Sequence, residues 1–136
     1  MKEWVLPAFG TFIFWGFWGF IPKLTTKYIS PKSAIVYEVL GGFLVAIMVM
    51  YSMNFRPEMN PKGLALAITT GVFGFLGAFC YLLAVSKGPV SLVVTLTALY
   101  PVLSILLAVI IFNEPITLKQ GAGILLALGA MLLIAT

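Results

Sequence analysis

The chain has 136 residues, of which 62% are hydrophobic and only 9% charged, with eight basic residues, four acidic, no histidine and a net charge of +4. An ordinary soluble domain is roughly 45–50% apolar and about 25% charged, and a soluble chain this short has too little interior to hide so much apolar surface. The composition therefore excludes a soluble catalytic domain and defines an integral membrane protein.

Other classes fall on the same counts. Histidine is absent and Cys80 stands alone, so neither a histidine–cysteine metal site nor an internal disulfide can form, and no cofactor is expected. The basic residues are scattered along a greasy chain and flank its apolar runs, so no nucleic-acid interface is expected. No paired carboxylates and no nucleophile–base set can be drawn, which argues against an enzyme.

A bilayer core of roughly 30 Å needs about 20 apolar residues per helix, and five stretches qualify. The first span runs from about Trp4 to Leu24. Its lead-in lacks a small-residue cleavage site, so it is expected to be a retained helix and not a signal peptide. Trp4 sits where an interfacial anchor belongs. Trp15 and Trp18 do not, since they fall at the middle and inner end of the span. At spacing i, i+3 they share a face, flanked by Phe12, Phe14, Phe17 and Phe20. One reading is an aromatic wall for a cation or planar solute; the other is lipid-facing bulk. Gly16 and Gly19 repeat at an interval of three. Pro7 predicts either a kink or a tolerated bend.

The second span runs from Ser33 to Met53, after Ser30-Pro31, a capping residue before proline. It carries Tyr37 and Glu38. Glu38 lies about five residues in, roughly 7.5 Å below the start of the span. An ionisable group at that depth is costly and usually faces an interior or a partner, which makes Glu38 a candidate proton carrier. Two other readings stay open: a structural pair with Lys23 at the end of the first span, or an interfacial acid that snorkels. The third span, Gly63 to Val85, follows Asn60-Pro61. Gly71, Gly74 and Gly77 predict a packing seam first and a hinge second. Phe75, Phe79 and Tyr81 are expected to pack in the core in preference to lining a cavity, though Tyr81 stays a binding candidate. Cys80 is expected to be a small buried apolar residue.

The fourth span, Ser91 to Phe112, follows Gly88-Pro89. Thr97, Tyr100 and Ser104 fall at i, i+3, i+7, one hydroxyl stripe beside Pro101. It suits either a cavity lining or bonds to backbone and neighbouring helices. Pro101, like Pro7, marks a kink or a loosened helix near a cavity. The fifth span, about Thr117 to Thr136, is the weakest, because it includes Lys119, which must snorkel. Thr117-Leu118-Lys119-Gln120 fits a capping box. The connections are too short for an independent domain, so residues 1–136 are expected to form one domain.

With five spans, one membrane face holds Lys2, Arg56, Lys62 and Lys119, and the other Lys23, Lys27, Lys32 and Lys87. Basic residues normally mark the cytoplasmic face, and a balance of four against four gives no instruction. The prediction is insertion in both orientations and an antiparallel homodimer, the alternatives being a homologous inverted partner or a parallel assembly. An odd number of spans suits this, because inverted repeats with a site at their interface are a common transporter plan.

Three groups of residues carry a resemblance. They are Leu99-Tyr100-Pro101-Val102 with Asn113-Glu114-Pro115-Ile116-Thr117 and Gln120-Gly121; Ala84-Val85-Ser86-Lys87-Gly88-Pro89-Val90-Ser91; and Gly19-Phe20-Ile21-Pro22-Lys23 with Tyr37-Glu38-Val39-Leu40-Gly41. Together, in this order, they resemble the EamA-like domain of the drug/metabolite transporter superfamily. The resemblance implies an all-α membrane protein of five transmembrane helices, one inverted-repeat half of a ten-helix fold around a central cavity. It further implies secondary transport of small organic solutes across the plasma (inner) membrane. Many longer members carry a basic residue where this chain has Glu38, so their substrate chemistry does not transfer. A flippase for a lipid-linked substrate and a membrane scaffold subunit are the competing expectations.

Overall fold

The structure, a computed structural model, describes residues 3–113 and 115–135. Lys2 of the charge balance, Glu114 of the resemblance and Thr136 at the end of the fifth span lie outside the described residues. The described residues are helical, with no strand. The elements are α1 (Val5–Thr25), α2 (Pro31–Ser52), α3 (Pro61–Lys87), α4 (Val90–Thr97), α5 (Tyr100–Phe112) and α6 (Leu118–Ala135). Four stretches are long and apolar enough to cross a bilayer: α1, α2, α3, and α4 with α5 as one span of 23 residues. The 18 residues of α6 extend about 27 Å at helical rise, close to the thickness of the hydrocarbon core.

Local chemistry sets the helix ends. α2 opens at Pro31, two residues earlier than expected, because the Ser30 hydroxyl oxygen accepts from the Ser33 N–H at 3.3 Å and proline fills the first helical position. Asn60 does the same for α3, its Oδ1 accepting from the N–H groups of Lys62 (3.1 Å) and Gly63 (3.0 Å). α2 ends in a Schellman motif. Asn54 stands in the left-handed region (φ 51°) at the first position past the cap. Its N–H donates to Tyr51, and the Phe55 N–H reaches back to Met50. Thr117 and Gln120 form the expected capping box at α6: the Gln120 N–H donates to the Thr117 hydroxyl at 3.3 Å and the Thr117 N–H to the Gln120 side chain at 2.9 Å.

The two prolines singled out in the sequence act differently. Pro7 lies in the first turn of α1, where its missing N–H has no helical partner to lose, so it produces no interior kink. Pro101 breaks the fourth span in two. It cannot donate to the Thr97 carbonyl, and the chain tightens there: Leu99 bonds to Leu96 and Val102 to Leu99, both at i→i−3. The proline inside α1 is Pro22.

The chain divides into two compact units, residues 1–87 and 88–136. In the first, α3 packs on both α1 and α2. Its core is small and lies at one end, where the last turns of α1, the first turns of α2 and the last turns of α3 meet. Pro22, Ala34, Ala78, Tyr81, Leu82 and Val85 are buried there. Nearly all other large apolar side chains are exposed, Phe14 at 74% and Met48 at 72% among them, as suits helices solvated by lipid. In the second unit α4 packs on α6. A small apolar hollow of ≈ 60 Å³ lies between Ala98, Pro101, Val102 and Ile105 on one side and Ile124, Ala127 and Leu128 on the other.

Candidate functional site

One face of α3 builds the site. Gly71, Gly74, Phe75, Ala78, Leu82 and Val85 recur at helical spacing. Toward the C-terminus this stripe is bulky, and Leu82 and Val85 are 1% and 0% exposed. Toward the N-terminus it is small, so the helices facing it enclose space. The result is an open groove of ≈ 520 Å³, lined by Trp18 from α1, by Glu38, Gly41 and Gly42 from α2, and by Gly71, Gly74, Phe75 and Ala78 from α3.

The closed end of the groove is fastened by two bonds to backbone carbonyls. The Tyr81 hydroxyl donates to the Gly19 carbonyl of α1. Pro22 leaves the Trp18 carbonyl, one residue earlier, without its helical donor. The Tyr81 ring lies 5.1 Å from that of Trp18, so α1 and α3 are joined by both a polar and an aromatic contact. Lys23 extends from the end of α1 and donates to the Val85 carbonyl at 2.6 Å. Val85 is among the last four residues of α3, whose carbonyls lack helical donors and carry the negative end of the helix dipole.

Glu38 is half-buried in the groove wall. Because α2 starts at Pro31, it lies seven residues along the helix, about 10.5 Å from its start, deeper than the 7.5 Å expected. Lys23 is not among the residues that line the groove. Glu38 is the sole ionisable group in the lining, which leaves no set of ligands for a metal there.

The other candidates separate. Tyr37, one position from Glu38, is 63% exposed and lies off the groove. Trp15 is 55% exposed and is not in the lining. Tyr81 is in the buried core. Gly19 serves through its carbonyl. Among the described residues a Cβ at Gly16, Gly71, Gly74 or Gly77 would meet nothing within 4 Å, whereas at Gly42 it would lie 3.1 Å from the Phe75 ring. Cys80 is exposed, not buried, because it lies off the face of α3 that bears Ala78, Tyr81 and Leu82.

Thr97, Tyr100 and Ser104 belong to the second unit. The break before Pro101 divides their stripe: Thr97 ends α4, and its hydroxyl donates to Val93 at 2.8 Å and Val94 at 3.1 Å. Gly41, Gly42, Phe75 and Ala78 were not picked out as site residues from the sequence. The signal was there, since Glu38, Gly41 and Gly42 fall at i, i+3, i+4, and Gly71, Gly74, Phe75 and Ala78 at i, i+3, i+4, i+7.

The helices and the single acid facing an apolar groove define a multi-pass α-helical membrane protein with a polar feature inside its spans. The chain matches the EamA-like transporter family over residues 2–136 and belongs to it. A protein of Methanocaldococcus jannaschii described as uncharacterized protein MJ1333.1 is 27% identical over 123 residues, which cover 90% of this chain and 89% of that protein. No solved structure matches.

Proposed function

We propose that the chain is a half-size secondary transporter of small organic solutes, working in the plasma membrane as an antiparallel homodimer by alternating access, with Glu38 as its coupling acid. The observation that carries this reading is the position of Glu38: an acid deep in a membrane helix, on the wall of a groove whose other lining residues are uncharged. Burial of a charge is costly and is characteristic of proton and substrate pathways.

The elements facing Glu38 bring no second titratable group to the groove. From α1 and α3 come Trp18, Gly71, Gly74, Phe75 and Ala78. The nearby polar side chains of those helices, Lys23 and Tyr81, bond to the backbone of Val85 and Gly19. Titration in the groove is then that of Glu38. In an antiparallel pair the two acids would sit on opposite halves of the bilayer, about 9 Å apart in depth for a 30 Å core, which suits one acid per gate. Family membership and the even charge balance support this assembly. So does the near-complete coverage of both chains in the match to the archaeal relative, which is of like length.

Purified protein in liposomes tests the reading. Solute uptake driven by a pH gradient is expected from the wild type, and Glu38→Gln is expected to lose both the rate and its pH dependence. An unchanged rate and pH profile in that variant removes Glu38 from the mechanism.

A further inference from the structure

The closed end of the first unit carries charge that the groove does not use. The last turn of α1 brings Lys23, the turn between α1 and α2 brings Lys27, the first turn of α2 brings Lys32, and the last turn of α3 brings Lys87. These helix ends meet. Pro22, Ala34 and Val85, one from each helix, are buried there, and the 2.6 Å bond from Lys23 to the Val85 carbonyl ties the first helix to the third. The turn is tight, with the N–H groups of Lys27 and Tyr28 bonded back to Leu24 and Thr25, so Lys27 stays at the end of α1.

No acid offsets these lysines. Residues 19–37 and 78–87, which build this end, contain no Asp or Glu. The next acid along α2, Glu38, lies in the groove wall. The opposite end of the unit differs: among the described residues, Arg56 and Lys62 are matched there by Glu3 and Glu58. Lys23 is engaged by the Val85 carbonyl, while Lys27, Lys32 and Lys87 are exposed.

We infer that Lys27, Lys32 and Lys87 form a headgroup site for anionic phospholipid around the closed end. The occupant follows from where the charges stand. Each lies at or beside the end of a helix long and apolar enough to cross a bilayer, which is the level of lipid phosphates. Both α1 and α2 pack on α3, and packed helix axes are about 8–10 Å apart. That is about one Debye length at physiological salt, so the three charges act on the same headgroups. Each lysine near an anionic surface strengthens binding about fivefold. Tyr28 stands beside Lys27 and is 86% exposed, and a tyrosine at the end of a span belongs at the headgroup level. Neither the Glu38 carboxylate nor transport enters this inference. In an antiparallel pair each leaflet would receive one such end.

Native mass spectrometry of the full chain in an uncharged detergent tests the site, with dioleoyl phosphatidylglycerol and dioleoyl phosphatidylcholine as probes. The two lipids share their acyl chains and differ in headgroup charge. Binding of the phosphatidylglycerol is expected to be tighter by at least about tenfold. Combining Lys27→Gln, Lys32→Gln and Lys87→Gln is expected to erase that preference, and each change alone to weaken it several-fold. Arginine at the same three positions is expected to keep it, as is the pair Arg56→Gln and Lys62→Gln at the opposite end. Gel filtration shows whether each variant is folded, and the single variants decide if the triple one is not. Equal binding of the two lipids overturns the proposal. So does a preference that survives the folded glutamine variants, or one lost equally in the Arg56→Gln, Lys62→Gln pair. Displacement of the lipid by millimolar inorganic phosphate also overturns it, since the site would then serve a soluble anion.

Discussion

Lys23 stands near enough to Glu38 in the sequence pattern to suggest a pair, yet its ammonium takes the Val85 carbonyl at the end of α3. A lysine there satisfies an orphan carbonyl and the negative end of a helix at once. Tyr81 makes the second such bond, to Gly19. Hydrogen bonds to charged donors contribute about 1.5–3 kcal/mol, whereas interhelical bonds between neutral groups in membranes average roughly 0.6 and reach about 1.7 kcal/mol. Lys23→Met is therefore expected to destabilise more than Tyr81→Phe, both measured by denaturant unfolding in detergent. The glycines separate in the same assay. Gly71→Ala meets open space and gains helix propensity, about 0.5–1 kcal/mol, while Gly42→Ala must displace Phe75. A loss of dimer in Gly71→Ala would show instead that a second chain packs on that face.

At the scale of the elements, α3 combines closure and opening in one helix. Its small residues at 71, 74 and 78 leave the groove, and its large ones at 81, 82 and 85 seal the end. Filling the small end exchanges one state for the other: Gly74→Leu is expected to abolish solute uptake in liposomes while the chain stays folded. The α4–α5 break is a different device, a lost donor at Pro101 that replaces one α-helical turn by tighter i→i−3 bonds. Pro101→Ala restores a donor for the Thr97 carbonyl. Amide hydrogen exchange is expected to show at least tenfold slower exchange at Ala98–Val102, with the first unit unchanged. No change there would mean that the break has another cause.

For the whole molecule, exposure of most large apolar side chains is stable only in lipid or against other protein. If the balance of four basic residues on each face sets no orientation, as proposed, reporters fused to the C-terminus are expected to signal from both sides of the membrane. A signal from one side alone ends the dual-orientation reading and favours a separate inverted partner. The apolar helices, their punctuation and the presence of an acid inside one of them were legible in the sequence, because periodicity, capping residues and apolar length are local properties; the depth of that acid was underestimated, because α2 opens at Pro31. The α4–α5 break was half legible: Pro101 marked the place, but whether a helix bends or parts depends on what donor remains.

The sequence by itself determined that this chain lives in a bilayer, where its helices begin, and that Glu38 is the charge hardest to place in lipid. Only the tertiary structure decided what Glu38 faces. Lys23 and Tyr81 are claimed by backbone carbonyls on a neighbouring helix, and that choice depends on how the end of α1 meets the end of α3, contacts 62 residues apart in the chain. The acid lies on the wall of a groove lined by Trp18, Phe75 and four glycines, because α3 carries small residues where it lines that space.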